Sequence, residues 1–87
     1  MKNKKGVSMF GVVLKDRNNH KNFWMRFEDK GHFDDWHEKE GGKIYFEHIY
    51  AGISAVVAKK IYHAEEMRLK EVLLRIKEIQ EIEKIDF

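Results

Sequence analysis

From about Ile49 to Lys84 the chain runs without a proline through residues dominated by Ala, Leu, Ile, Lys and Glu, the composition of a helix. About 35 helical residues would span roughly 50 Å. A strand of about eight residues covers only roughly 26 Å. Any sheet that the remainder of an 87-residue chain can build therefore supports half of such a helix, and the other half needs a cover of its own.

Two apolar stripes divide this segment when each residue is turned 100° from the last. Ile53, Val56, Val57, Ile61, Ala64 and Met67 form one, and Leu69, Val72, Leu73, Ile76 and Ile79 the other. The second is rotated by roughly a third of a turn. The segment thus either kinks near residues 65–68 and folds its tail back, or stays straight and serves two surfaces. The three-four spacing of Leu69, Val72, Ile76 and Ile79 is that of a coiled-coil seam. Leu69, Val72, Leu73, Ile76 and Ile79 are accordingly expected to form a homo-oligomer interface, most simply a dimer. Glu66 with Lys70 and Glu71 with Arg75 stand four apart in the favourable order. The start of the helix shows no clean cap.

Ahead of the helix the pattern is β. Gly6 to Lys15 is rich in branched and aromatic residues, and Gly11 within it marks a bulge or a close backbone approach. Arg17-Asn18-Asn19-His20 is a turn in which Asn tolerates the left-handed backbone. Over Lys21–Asp29, Phe23, Met25 and Phe27 alternate with Trp24 and Arg26, which gives one apolar face. Asp29-Lys30-Gly31 is a second turn signal. Residues 32–40 read either as a loop or as one to two turns of helix with Phe33 and Trp36 on one side. After Gly41-Gly42, residues 43–47 read as a third strand. The expected fold is α+β: an antiparallel sheet of two to three strands under one long C-terminal helix over 49–84, in a single domain of residues 6–87 behind a basic tail of residues 1–5.

Composition narrows the function. The net charge of +2 comes from 17 basic and 15 acidic side chains, too balanced to announce a nucleic-acid binder. With no cysteine there is no disulfide and no thiolate chemistry. No apolar run is long enough to cross a bilayer, and no cleavage site follows the basic start, so a cytoplasmic protein without a membrane partner is expected. The five histidines fit no metal-binding spacing: Gly41 stands where a second histidine would follow His37. Asp34, Asp35, Glu38 and Glu40 read as a solvated face rather than an acid–base pair. Ser8 and Ser54 are the only serines, and no threonine is present. No cofactor, no metal and no catalysis are expected.

Trp24, Arg26, Phe33, Trp36 and Tyr45 have the composition of a protein-binding surface; the rival reading is that Phe33 and Trp36 plug one end of the core. The expected function is a non-enzymatic, protein-binding protein of the inhibitor, adaptor or accessory type that self-associates through its helix. The alternative is a nucleic-acid binder that uses the aromatic and basic residues of strand two with Lys2, Lys4 and Lys5.

Overall fold

The computed structural model describes residues 10–39 and 42–85. Along the chain run β1 (Phe10–Asp16), β2 (Asn22–Phe27), α1 (Lys30–Lys39), α2 (Gly42–Tyr45), β3 (Phe46–Ala51), α3 (Ala55–Tyr62), β4 (Glu65–Glu66) and α4 (Leu69–Ile85). The basic tail, the first residues of strand one, Glu40 and Gly41 lie outside the described residues.

The fold is α+β with one mixed sheet, in the order β3-β1-β2-β4. β1 and β2 form the hairpin legible in the alternation, with Val12 opposite Met25 and Leu14 opposite Phe23. The left-handed residue of its turn is His20, with φ 64°, rather than an asparagine. β3 pairs antiparallel with the other side of β1, with an irregularity between Val13 and Leu14. β4 pairs parallel with β2.

β2, β3 and β4 therefore run in one direction, and parallel strands need crossovers. The first crossover, through α1 and α2, carries the chain across β1 on one face. The second, through α3, carries it back across β1 and β2 on the other. Opposite lateral steps on opposite faces give both the same hand, which a common handedness rule requires.

Both faces of the sheet are consequently covered. On one, Val12, Leu14, Phe23, Met25 and Phe27 pack with Phe33 and Trp36 of α1, Phe46, and Val72 of α4. On the other, Val13 and Trp24 pack with Ala58 of α3 and Ala64. The small alanines let α3 lie close to the sheet. Gly11 shows how close: a Cβ there would collide with the Ile53 carbonyl and lie 2.5 Å from Trp24 Nε1. Gly42 is similarly needed, because a Cβ would meet the Trp36 ring at 2.8 Å.

The continuous helix over 49–84 is replaced by three elements. Residues 46–51 are strand, so the third strand lies about three residues later than its expected place, and Gly42–Tyr45 is helical. Ser54 is the cap that sequence reasoning missed: its Oγ accepts from Val57 N at 3.3 Å. α3 ends at His63, which takes the left-handed conformation (φ 57°) without a glycine. The chain then passes through β4, where Met67 N donates to Trp24 O at 2.9 Å, and α4 begins with Glu71 Oε1 accepting from Arg68 N at 2.9 Å. The change of phase between the stripes thus marks a break, and the tail folds back on its own domain. The first stripe is also divided in burial. Ala64 is buried, and Ile53 and Met67 pack against the two cores. Within α3, however, it is Ala58, outside the stripe, that points inward, while Val56 and Ile61 are 76% and 62% exposed.

Candidate functional site

α4 has two unlike sides. Its inner side follows from the 3.6-residue repeat: Val72 and Ile79 are buried, and Ile76, together with Met67 just ahead of the helix, packs against the main core. Gln80 Nε2 donates to the Tyr45 hydroxyl at 3.1 Å. Arg75 reaches the hairpin turn, where its Nε donates to Asp16 Oδ2 at 2.7 Å. Asp16 is fully buried, and its other oxygen accepts from the backbone N–H groups of Asn18 and Asn19 at 2.8 and 3.2 Å. The hydrogen bond to Asp16 raises the Arg75 pKa above its ordinary value. Arg75 also donates to Glu78 at 3.1 Å, so its ion-pair partners are Asp16 and Glu78 rather than the expected Glu71.

The outer side carries Leu69, Leu73 and Leu74, which are 40%, 50% and 60% exposed. With Lys70, Ile76 and Lys77 they line an open apolar groove. Of the five residues expected at an oligomer interface, Val72 and Ile79 are therefore consumed by the protein's own core and Ile76 lies at its border. Only Leu69 and Leu73 remain largely free. Leu74, Lys70 and Lys77 escaped sequence reasoning because they fall outside the three-four spacing. The seven-residue interval between the lysines was the available signal.

The expected aromatic surface is dispersed. Phe33 and Trp36 are buried on one side of the sheet and Trp24 on the other. The Trp24 indole N–H donates to the Ile53 carbonyl at 2.7 Å beneath the start of α3. Alternation correctly separates Trp24 from Phe23 and Phe27, but α3 covers the second face as well. Arg26 remains exposed with its guanidinium 5.7 Å from the Trp24 ring, and Tyr45 is half-buried. These five residues do not share a surface, and strand two offers no aromatic platform for bases. Lys2, Lys4 and Lys5 lie outside the described residues.

Two histidines meet where α1 leans on β3. The rings of His37 and His48 both lie 5.1 Å from Phe33 and 6.2 Å from each other. His37 Nε2 lies 3.2 Å from the Phe46 carbonyl. Partial burial, and then the charge of His37, lowers the pKa of His48. Among the described residues no group of three or more His, Asp or Glu side chains is placed to hold a metal ion, and no helix is long and apolar enough to cross a membrane.

With this geometry in hand, comparison with protein-family models, with curated proteins and with solved structures finds no match to the chain.

Proposed function

We propose that this is a non-enzymatic protein-binding module and that the outer side of α4 is its docking surface. One observation carries the reading: α4 seals the core with Val72 and Ile79 while exposing Leu69, Leu73 and Leu74 side by side in one groove. A helix that only closes a core places polar residues on its far side. Contiguous exposed apolar residues bordered by charges are a mark of interaction sites, and a groove of this kind suits an apolar segment of another polypeptide.

The test is affinity capture from the source cells with the wild-type chain and with the Leu73→Glu/Leu74→Glu variant. Both leucines are exposed, so circular dichroism and the melting curve should be nearly unchanged. The reading expects a bound protein to be lost from the variant. Identical sets of bound proteins would overturn it.

A further inference from the structure

We propose that the groove on α4 receives an acidic amphipathic helix of a different protein, and that a row of lysines selects for its negative charge. This inference rests on the docking reading of α4. At 100° per residue, Lys70, Lys77 and Lys84 fall within about 40° of one another. They make a single cationic line along the helix, with Leu69 and Leu73 on one side and Leu74 on the other.

The line is left largely uncompensated. Among the described residues Lys70 and Lys77 make no ion pair, and Lys84 has only Glu81 at 3.6 Å. Glu71 accepts from the backbone at the helix start, and Glu78 is held by Arg75. Glu81, four residues beyond Lys77 on the same side of α4, pairs with Lys84. The cations without a partner are therefore Lys70 and Lys77, the two that line the groove. Cations that lack internal partners and run through an apolar groove call for anions on whatever fills it.

Charge then distinguishes between occupants. A second copy centred on this groove lays one lysine row against another, and like charges in register oppose association. A nucleic acid satisfies the lysines but sets its charged backbone against leucines, which gain nothing from it. An amphipathic helix with carboxylates beside its apolar stripe satisfies both. Its apolar residues at three- and four-residue intervals bury Leu69, Leu73 and Leu74, while its carboxylates reach Lys70 and Lys77 over their alkyl stems.

The experiment uses two synthetic helical peptides with identical apolar positions, one with glutamate and one with lysine at the flanking positions. Binding is read by fluorescence anisotropy against the full chain. The acidic peptide should bind about tenfold or more tightly than the basic one, in line with the cost of opposed like charges. Lys70→Glu/Lys77→Glu should reverse that preference. Leu73→Ser/Leu74→Ser, which removes the apolar contact without adding charge, should weaken acidic-peptide binding by about thirtyfold, as for interface anchors. Equal binding of both peptides, each lost in the leucine variant, overturns charge selection and leaves the docking surface standing. No binding of either peptide, together with unchanged affinity capture by the Leu73→Glu/Leu74→Glu variant, overturns both. A dimer seen by light scattering and dispersed by Leu73→Glu assigns the groove to a second copy and overturns the proposal. So does a single-stranded oligonucleotide that binds regardless of the leucines and displaces the acidic peptide.

Discussion

Replacing Arg75 by methionine tests whether α4 is fastened to the hairpin by a buried charge. Methionine keeps much of the apolar stem and removes the guanidinium. The Asp16 carboxylate is fully buried, and Arg75 is its ion-pair partner at 2.7 Å. Charge centres about 4 Å apart at an effective dielectric near 20 interact by about 4 kcal/mol. Removing one member of a buried pair costs about 3–5 kcal/mol, because the other charge stays behind. The N–H groups of Asn18 and Asn19 still hold Asp16 and offset part of that loss, so the low end, about 3 kcal/mol, is expected. A chain of 87 residues has a total stability of about 4–13 kcal/mol, so the variant should fold. Its urea midpoint should fall by about 2–3 M, for a slope near 1 kcal/mol/M. Asp16→Asn with Arg75→Met should cost less than the sum of the single changes by about 1–3 kcal/mol. A loss below about 1 kcal/mol, the range of exposed ion pairs, or strict additivity of the two changes, would refute the reasoning.

Gly11→Ala should strongly destabilise the protein, because its methyl group meets the Ile53 carbonyl and the Trp24 indole, both held in place by their mutual hydrogen bond; an unchanged melting temperature would show that α3 sits farther from the sheet. Ser54→Ala should cost about 1 kcal/mol through loss of the cap on Val57, visible as faster hydrogen exchange in the first turn of α3, and unaltered exchange there would count against the cap. The folded pKa of His48 lies below its ordinary value of 6.5 because of burial and His37, with Lys30 acting in the same sense and Asp34 against it. Its contribution to stability is therefore present above pH 6.5 and is lost as the pH falls below that value toward the folded pKa. His48→Gln should flatten the acid limb of a stability–pH curve, and an unchanged limb would contradict this account.

The parts of the fold that alternation encodes were legible in the residues. Phe23, Met25 and Phe27 share a core face, Asn18 and Asn19 lie in the hairpin turn, and Gly11 marks a close approach. What lies over the second face of a strand is not written in the strand. Trp24 reads as outward until α3 crosses it, and the alanines that make the crossing possible look like ordinary helix formers. The break after Tyr62 was hidden because His63 takes the left-handed backbone that glycine usually signals. For the same reason α4 looked like the second half of one rod. Its expected seam divides because burial within the protein's own fold claims Val72 and Ile79 first. Only the rotation between the two stripes betrayed the division.

The strand order also bears on how the chain folds as it leaves the ribosome. The central pair, β1 and β2, is contiguous and emerges first, whereas both edge strands and all the helices that cover the sheet come later. A hairpin closed during that interval would have Phe23, Met25 and Phe27, which share one face in the folded chain, bare on one side and Val13 and Trp24 bare on the other. An unshielded two-stranded ribbon is at best marginally stable in water, and its open edges invite pairing with other chains. The nascent protein is thus most vulnerable to aggregation before α3 has emerged, and a chaperone that holds apolar strands would have its greatest effect in that window.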